Sequence, residues 1–335
     1  MVQKILIAGG AGYIGSHVTK ELLKRGGYDI TVIDNLSTGF AETIDRLKEH
    51  YGDFRFIELD LSDWQDVADL MHKQRFDAVI HFAAALVVPE SVENPLKYYL
   101  NNTANTAHLI KASVESGVKK FIFSSTAAVY GEPASIPQTG ITEEGETKPI
   151  NPYGHSKLMS EQVLRDAAAA HQGFKYVALR YFNVAGADVG GKIGQSTKNA
   201  THLIKVAAET ALGKREKMYI FGDDYPTPDG TCIRDYIHVD DLAAAHLEAL
   251  DYLDEHESEV FNVGYGRGYS VKEVIDTMRK VSGHDFAAEI APRRAGDPAM
   301  LIADSSKLRR QTSWQPRYDD LELICKTALE WERNL

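Results

Sequence analysis

This 335-residue sequence has little cysteine, no long apolar run and no surplus of basic residues. Its two cysteines, Cys232 and Cys325, stand far apart, which excludes a disulfide framework and a zinc-ligand spacing and favours a reducing cytoplasm. No apolar run is long enough to cross a bilayer, so we expect no membrane partner. Acidic residues outnumber basic ones by 48 to 37, and the net charge of −11 argues against a nucleic-acid partner.

Clustered metal ligands are missing as well, because the histidines are scattered along the chain. The nearest approach to a cluster is His238 with Asp240 and Asp241. We interpret one of these aspartates as the cap of a following helix, since carboxylates are good helix N-caps. The sequence therefore assigns no metal.

What is present is an alternation of two periodicities. Short runs rich in Ile, Val and Phe indicate buried strands at residues 4–8, 29–33, 55–58, 78–82, 120–124 and 176–181. Amphipathic stretches between them predict helices at residues 16–25, 63–73, 98–116 and 153–170. Such an alternation predicts an α/β fold with a doubly wound parallel sheet of the Rossmann type.

The composition of the sequence and the spacing of its predicted elements change after about residue 182. Gly, Asp and Pro cluster at 186–194, 222–230 and 292–298, between helices predicted at 201–213, 239–254, 271–282 and 321–333. We interpret residues 1–182 as a nucleotide-binding domain and residues 183–335 as a smaller, mixed substrate-binding lobe with long functional loops. Two later segments, 233–239 and 260–263, are predicted to be strands that return to the main sheet.

A glycine-rich turn follows the first predicted strand. Gly9, Gly12 and Gly15 allow a sharp turn, a close approach of the backbone to a pyrophosphate, and tight packing of helix on strand. Asp34 ends the second strand, where a carboxylate can accept hydrogen bonds from a ribose and repel a 2′-phosphate, so NAD is favoured over NADP. Asp60 follows the third strand, where it can either meet the adenine or cap a helix.

A tyrosine and a lysine stand one helical turn apart, at Tyr153 and Lys157. A neighbouring ammonium and a nicotinamide ring would both favour the phenolate, which would bring the tyrosine pKa towards neutrality. Thr126 ends a strand with three hydroxyl residues and can bind the same substrate oxygen. Either feature alone is typical of a surface contact or a helix cap, but behind a nucleotide-binding turn the two together indicate catalysis.

The order of these motifs resembles the extended short-chain dehydrogenase/reductase family. Closer similarity is to its UDP-glucose 4-epimerase branch, and it extends over nearly the whole chain. The segments that carry this resemblance are 9–17, 33–37, 90–92, 180–183 and 234–239. The resemblance implies galactose metabolism: a UDP-hexose would be reversibly epimerised at C4 through a transient 4-keto sugar, with the bound NAD reduced and reoxidised in each cycle.

The resemblance also implies roles for individual residues. Tyr153 would remove the proton of the sugar 4-hydroxyl, Lys157 would hold the nicotinamide ribose, and Thr126 would contact the 4-oxygen. The implied NAD contacts, besides Tyr153 and Lys157, are Gly9, Gly12, Tyr13, Ile14, Gly15, Asp34, Asn35, Leu36, Ser37, Thr38, Gly39, Asp60, Leu61, Phe82, Ala83, Ala84, Ala85, Leu86, Asn101 and Phe182. The implied UDP-sugar contacts are Thr126, Asn183, His202, Leu203, Tyr219, Phe221, Arg234, Tyr236, Arg294 and Asp297.

Several of these implied contacts also make chemical sense. Arg234 and Arg294 can each form bidentate hydrogen bonds with a diphosphate, whereas Tyr219 and Phe221 can pack on uracil. The alternatives are a solvated basic pair at Arg293-Arg294 and simple salt bridges at Asp235 or Asp297.

Two positions depart from the pattern of the family. Leu86 stands where many epimerases carry a lysine after the fourth strand, so one cationic contact near the cofactor is missing. Leu301 aligns with a position that gates room for an N-acetyl group, and its intermediate size leaves the acceptance of N-acetylated sugars open.

Other functions remain to be distinguished. A sugar-nucleotide dehydratase needs an acid and a base after the strand-end hydroxyl, and Thr126 is instead followed by two alanines. Another UDP-sugar epimerase, a net oxidoreductase and a non-catalytic NAD-sensing regulator are the other candidates. The resemblance further implies a homodimer, in which helices 98–116 and 153–170 of two subunits form a four-helix bundle.

Overall fold

A seven-stranded parallel sheet forms the centre of the computed structural model, which describes residues 2–133, 139–198, 200–294 and 297–335. The strands that build the sheet, in chain order, are β1 (Gln3–Ala8), β2 (Tyr28–Asp34), β3 (Arg55–Glu58), β4 (Ala78–His81), β5 (Lys120–Ser124), β6 (Lys175–Tyr181) and the later β11 (Glu259–Val263). Their order across the sheet is β11-β6-β5-β4-β1-β2-β3. The predicted doubly wound α/β fold is therefore confirmed.

Both faces of the sheet are covered by helices, as continuous apolar strands require. The helices of the first half are α1 (Tyr13–Arg25), α2 (Ala41–Tyr51), α3 (Trp64–Gln74), α4 (Val88–Glu93), α5 (Pro95–Tyr98), α6 (Asn105–Ser116) and α7 (Pro152–Ala170). Ile5 and Ile7 of β1 pack with α1 and α2, whereas Leu6 and Ala8 of the same strand pack with α3, α6 and α7. Alternate side chains thus enter two separate core layers.

The strand order reverses beside β1, which pairs with β2 on one side and β4 on the other. In open parallel sheets a crevice forms at such a switch point, outside the carboxyl ends of the strands. Gly9 after β1, Phe82 after β4 and Ser125 after β5 therefore all border one crevice.

Two first-half helices differ from the predictions. The helix predicted at 98–116 is interrupted, because a π-helical turn, Tyr99–Ala104, separates α5 from α6. Its amphipathic pattern continues through the turn, so periodicity alone could not reveal the break. Helix α2 was not predicted, although it buries Thr43, Ile44 and Leu47.

The second half of the chain builds small sheets and further helices. Its remaining elements are β7 (Asn183–Ala185), α8 (Leu203–Ala211), β8 (Met218–Phe221), β9 (Ile233–Arg234), β10 (Tyr236–His238), α9 (Val239–Glu255), β12 (Tyr269–Ser270), α10 (Val271–Ser282), β13 (Ala288–Ala291), β14 (Met300–Leu301), α11 (Ser306–Gln311) and α12 (Leu321–Arg333). The prediction that 260–263 returns to the main sheet is confirmed by the pairing of β11 with β6.

The matching prediction for residues 233–239 is wrong. This segment forms two short strands, of which β9 pairs with β12 and β14, and β10 pairs with β7. Asp235 lies between them and accepts hydrogen bonds from the backbone N–H groups of Tyr265, Gly266 and Ala303, at 3.0, 2.9 and 3.3 Å. Those bonds draw the segment out of line with the main sheet.

The division at residue 182 stays a prediction, since β11 and α9 of the later half pack with the main sheet. Within the described residues, none of the helices is long and apolar enough to cross a membrane.

Candidate active site

The glycine turn after β1 has the steric properties that a phosphate-binding turn needs. Gly9 has a φ of +88°, and a Cβ there would lie 2.6 Å from the amide nitrogen of Ala83. A Cβ at Gly15 would lie 2.2 Å from the carbonyl oxygen of Gly9, so only glycine lets α1 pack this closely on β1. Gly12 is the N-cap of α1 and places the N-terminus of that helix at the crevice. Helix N-termini of this kind bind anions.

Asp34 organises the edge of this turn. Its carboxylate accepts hydrogen bonds from the amides of Ala11 at 3.0 Å and Leu36 at 2.9 Å. Burial raises the pKa of Asp34, although these two amides act in the opposite direction. Each carboxylate oxygen keeps a further lone pair, so Asp34 can still accept from a ribose hydroxyl.

Asp60 lies beside Asn35, whose amide nitrogen donates to its carboxylate at 2.5 Å. The other oxygen of Asp60 accepts from the backbone N–H of Ser62 at 2.7 Å. The N-cap of α3 is Asp63 rather than Asp60, so the interpretation of Asp60 as a helix cap is wrong. Both Asn35 and Asp60 remain at the crevice, where an adenosine could meet them.

The segment after β4 borders the crevice on its other side. Its backbone at Ala85 is held by Asn102, which accepts from the Ala85 amide at 2.8 Å and donates to the Ala85 carbonyl at 2.9 Å. Asn101, a predicted NAD contact, donates to the Asn102 side chain at 3.1 Å. The π-helical turn therefore carries the asparagines that fix this strand end. Leu86 is exposed, so its apolar side chain faces solvent.

The predicted catalytic residues come together where α7 meets the end of β5. Asn151 caps α7 by accepting from the Gly154 amide at 2.9 Å. A Cβ at Gly154 would lie 2.6 Å from the carbonyl oxygen of Ala128, so this glycine lets the first turn of α7 sit against the segment after β5. Tyr153 and Lys157 thereby face the end of β5, and the Lys157 ammonium donates to the Ser124 carbonyl at 2.8 Å.

The electrostatics of this group differ from the prediction. Burial raises the pKa of Tyr153, while a hydrogen bond with the Thr126 hydroxyl acts to lower it. Burial lowers the pKa of Lys157 to about 7, against the charge of Glu161, which raises it. The lysine ammonium was predicted to lower the tyrosine pKa, and the protein's own groups give the opposite direction. A positive charge brought by a ligand would be needed to favour the phenolate.

Thr126 has two partners in this arrangement. Its hydroxyl oxygen accepts from the backbone N–H of Ala128 at 3.1 Å and so caps the short 3-10 turn Ala127–Tyr130. The same hydroxyl is the one that acts on the pKa of Tyr153. The capping role and the catalytic role considered from the sequence are therefore compatible.

Sequence reasoning overlooked two polar side chains beside Tyr153. The hydroxyl groups of Ser124 and Tyr181 are hydrogen-bonded at 2.5 Å. Burial raises the pKa of Tyr181, and the neighbouring Tyr153 raises it further. Ser124 and Tyr181 end adjacent strands, so the predicted strand ends contained the signal that would have paired them.

Three further predicted substrate residues form an aromatic and basic group in the second half of the chain. The Arg294 guanidinium lies 3.7 Å from the centre of the Phe221 ring, and the Tyr219 and Phe221 rings are 6.3 Å apart. Arg293 instead binds Asp224 at 2.6 Å, so the two neighbouring arginines are not one solvated pair. This group offers two flat rings and a guanidinium, which suits a base attached to a phosphate.

Arg234 and Asp297 lie close to each other, with 3.6 Å between the guanidinium and the carboxylate. Arg234 also donates to the carbonyl of Ile233 at 2.9 Å. Asp297 is therefore a salt-bridge partner, which was the alternative to a substrate contact. Asp235 forms no salt bridge with the described residues, and its carboxylate instead accepts hydrogen bonds from backbone N–H groups.

Four other predicted substrate residues border one pocket. Asn183, His202, Leu203 and Tyr236 line it together with Gln195 and Trp331. Gln195 and His202 are hydrogen-bonded at 2.9 Å, which fixes the imidazole at the pocket wall. The geometry thus brings together residues that are far apart in sequence.

The aspartates after His238 do not cap α9. His238 is the N-cap, and its Nδ1 accepts from the Asp240 amide at 3.1 Å. Asp240 binds Lys20 at 2.5 Å, and Asp241 accepts from the Tyr265 hydroxyl at 2.6 Å. Among the residues described, no group of three or more His, Cys, Asp or Glu side chains is placed to hold a metal ion.

Comparisons with known proteins show the family of this chain. The model of the NAD dependent epimerase/dehydratase family matches residues 5–264. The chain is 52% identical to a UDP-glucose 4-epimerase of Azospirillum brasilense over 99% of its own length and 92% of that protein. Among solved structures it resembles the UDP-Glc/GlcNAc 4-epimerase of Campylobacter jejuni, with a TM-score of 0.87, 60% identity, and coverage of 99% of this chain and 100% of that one.

A further similar structure was solved with ligands. The UDP-glucose 4-epimerase of Bifidobacterium longum, in complex with NAD+ and UDP, superposes with a TM-score of 0.94 at 39% identity. The similarity covers 99% of this chain and 98% of that one. The likeness therefore extends over both halves of the chain.

Proposed function

This chain belongs to the NAD dependent epimerase/dehydratase family, and we propose that it interconverts UDP-glucose and UDP-galactose by reversible epimerisation at C4. It is an NAD-dependent epimerase of the extended short-chain dehydrogenase/reductase type. The observation that carries the proposal is the meeting of Tyr153, Lys157 and Thr126 at the crevice beside the glycine turn. An i, i+4 pair on a helix has catalytic meaning only when a cofactor site and a substrate hydroxyl partner lie next to it.

The crevice fits NAD on steric grounds. The turn has no space for a Cβ at Gly9 or Gly15, and the N-terminus of α1 faces the place of a pyrophosphate. Asp34 stands where it can bind the adenosine ribose. NAD, when bound, supplies the group that accepts a hydride from C4 of the sugar and returns it.

The chain's own residues would handle the proton and hold the substrate. Tyr153 would take the proton from the 4-hydroxyl as its base, and Thr126 would orient that oxygen between the two hydroxyl groups. Lys157 would bind the nicotinamide ribose and, in its protonated form, bring a positive charge beside Tyr153. Because the protein itself raises the pKa of Tyr153, the phenolate would form only once the cofactor's positive ring is in place.

The aromatic and basic group, together with Arg234, would bind the UDP moiety. Arg234 and Arg294 would fork onto the diphosphate, with Phe221 and Tyr219 packing on the uracil. Asn183 and His202 would reach the sugar or phosphate from the adjoining pocket. The diphosphate contacts would hold the nucleotide and leave the sugar free to rotate, so that the 4-keto sugar would present its other face to the cofactor while the nucleotide stays bound.

One assay tests this function. Purified protein incubated with UDP-galactose should form UDP-glucose without added NAD, and Tyr153→Phe should lower kcat about a thousandfold with little change in KM. Unchanged sugar would favour a non-catalytic NAD-sensing regulator. Net formation of NADH would favour an oxidoreductase, and a stable 4-keto-6-deoxy product would favour a dehydratase.

We also propose that the substrates include UDP-N-acetylhexosamines. Leu301 packs with Phe182 and Ala127 next to Thr126, so its side chain limits the space beside the sugar. A leucine leaves more room there than a tyrosine would, and the similar Campylobacter jejuni protein is described as acting on both UDP-Glc and UDP-GlcNAc. Leu301→Tyr should lower kcat/KM for UDP-GlcNAc at least about tenfold and leave that for UDP-galactose within about threefold. Equal losses for both sugars would contradict the proposal.

A homodimer is the third part of the proposal. Apolar side chains are exposed on elements that pack around α7, with exposed fractions of 62% for Val92, 70% for Leu96, 64% for Leu100 and 47% for Met159. Such a patch fits an isologous interface in which α7 and the π-helical turn of two copies meet. Leu100→Asp should shift the sedimentation coefficient from that of a dimer to that of a monomer.

Finally, we infer a cytoplasmic location. Cys232 and Cys325 are both buried free thiols, and neither belongs to the catalytic group. Free thiols persist in reducing compartments. Fractionation of cells, with the protein followed by immunoblot, would test this.

A further inference from the structure

A buried polar network lies behind the ends of β5 and β6. Glu161 stands one turn after Lys157 on α7 and binds Arg180 of β6 through two hydrogen bonds. The Arg180 Nε donates to Oε1 at 3.0 Å, and Nη2 donates to Oε2 at 2.6 Å. Glu161 is 1% exposed and Arg180 4%. The two charges are thus shielded from water and depend on each other.

Neutral groups complete this network on both sides. The Ser125 hydroxyl donates to Glu161 Oε1 at 2.5 Å. Arg180 Nη1 donates to the Tyr130 hydroxyl at 3.1 Å, which in turn donates to the Asn262 side chain at 2.7 Å. All five side chains are buried. A buried network whose polar atoms are satisfied holds a single arrangement, since any other would leave a charge without partners.

The network fixes the end of β5 relative to α7. Ser125 stands between Ser124, whose carbonyl accepts from Lys157 at 2.8 Å, and Thr126. Helix α7 therefore contacts the strand end at two points, through Lys157 and through Glu161. Because Tyr153 precedes Lys157 by one turn, both contacts determine the distance between the phenol and the Thr126 hydroxyl.

Arg180 extends this constraint to the neighbouring strand. It immediately precedes Tyr181, whose hydroxyl group is bonded to that of Ser124 at 2.5 Å. The backbone pairing of β5 with β6 and the Asn151 cap of α7 form without any of these side chains. The network is thus additional to what secondary structure requires at this place.

We propose that Glu161, Arg180 and Ser125 are positioning residues for the C4 chemistry, which hold the Thr126 hydroxyl and the Lys157 ammonium in place around Tyr153 without touching sugar or cofactor. This inference rests on the proposed function. The charge of Glu161 also favours the protonated form of Lys157. Burial lowers the pKa of Lys157 to about 7, and Glu161 acts to raise it.

The sharpest test is Ser125→Ala, which removes the link between Glu161 and the strand end but leaves the ion pair intact. With UDP-galactose, kcat should fall at least about tenfold while KM stays within about threefold, because a small displacement slows the chemistry and spares the UDP contacts. The rise in absorbance at 340 nm on rapid mixing, which follows oxidation at C4, should slow by the same factor. Glu161→Gln should reduce kcat further, by about a hundredfold.

A matched control lies at the other end of the same strand. Lys120 is also buried, and its ammonium donates to the Leu250 carbonyl at 3.1 Å, so Lys120→Met perturbs β5 away from the site. Its kcat per molecule of bound NAD should equal that of the parent. If Ser125→Ala and Glu161→Gln fold, bind NAD and turn over like the parent, the inference is overturned while the proposed function stands. A parent chain that neither forms UDP-glucose nor changes at 340 nm overturns both.

Discussion

The molecule contains two buried lysines whose surroundings are opposite in character. Lys157, at the catalytic group, is 4% exposed and donates to a backbone carbonyl, with its ammonium 4.9 Å from the centre of the Phe123 ring. Lys20, on α1, is 1% exposed and binds three carboxylates, Asp188 at 2.9 Å, Asp240 at 2.5 Å and Glu21 at 3.2 Å. The ammonium of Lys157 thus contacts neutral groups, whereas the carboxylates around Lys20 carry more negative charge than its ammonium can neutralise.

Their pKa values move in opposite directions for that reason. Burial lowers the pKa of Lys157 to about 7, and Glu161 only partly offsets it. Burial acts the same way on Lys20, but the charges and hydrogen bonds of Asp240 and Asp188 outweigh it and raise the pKa. The region that we propose to be catalytic thus keeps its cation incompletely neutralised at a cost in stability, whereas the junction around Lys20 neutralises its cation fully.

The largest effect should come from removing the catalytic cation. Lys157→Met should lower kcat/KM for UDP-galactose by about 10² to 10⁴, because it removes the ammonium that we propose to bind the nicotinamide ribose beside Tyr153. Steady-state rates, expressed per molecule of bound NAD, would measure it. Activity within about tenfold of the parent would break the comparison, since Lys157 would then be a structural lysine like Lys20.

Removing the other lysine should affect stability instead. Lys20→Met leaves Asp188 and Asp240 buried without their cation and should reduce the free energy of unfolding by about 3–5 kcal/mol. Urea denaturation followed by circular dichroism would measure the loss. Lys24→Met is the matched control on the same helix: Lys24 is 54% exposed and pairs with Glu21 at 3.2 Å, so its loss should change stability by at most about 0.5 kcal/mol. Turnover per NAD-loaded molecule should be unchanged in both.

The pH dependence of stability sharpens the contrast. The pKa of Lys157 is about 7 in the folded protein against an ordinary 10.5, so the folded state loses stability as pH falls from 10.5 to 7. Lys157→Met removes this penalty and loses one hydrogen bond, so it should be more stable than the parent by about 2 kcal/mol at pH 7. The gain should shrink as pH rises towards 10. The destabilisation caused by Lys20→Met should persist over the same range, because the raised pKa keeps Lys20 charged.

Those two lysines also mark how far the sequence could predict the structure. The glycine turn, Asp34 and the pair Tyr153 and Lys157 were predictable, because each depends on spacing within one element or on the end of one strand. The partners of Lys20 were not. Asp240 or Asp241 was interpreted as a helix cap, but His238 caps that helix and Asp240 binds a lysine 220 positions away.

Long-range packing likewise decides the other misjudged features. Residues 233–239 have the composition of a central strand. Asp235, however, accepts hydrogen bonds from three backbone N–H groups and separates the segment into the two short strands β9 and β10. The pKa of Asp235 is raised to about 6 by burial, against these amides, which no local pattern could indicate. The direction of the Tyr153 pKa was predicted from its lysine neighbour, but burial dominates, and burial depends on the whole fold.

A smaller change tests how much one neutral hydrogen bond adds to the stability of the Lys20 region. The Tyr51 hydroxyl donates to Asp188 at 2.7 Å on the oxygen that Lys20 does not use. Tyr51→Phe removes this bond and no charge, so unfolding should cost about 1 kcal/mol less while kcat stays the same. Tyr252→Phe is the control, because its hydroxyl bonds an exposed Gln311 at 3.2 Å and water can replace that contact. If Tyr51→Phe and Tyr252→Phe are equally stable, then Lys20 and the surrounding amides already satisfy the carboxylates of Asp188 and Asp240. The contrast with Lys157 would then depend on charge alone.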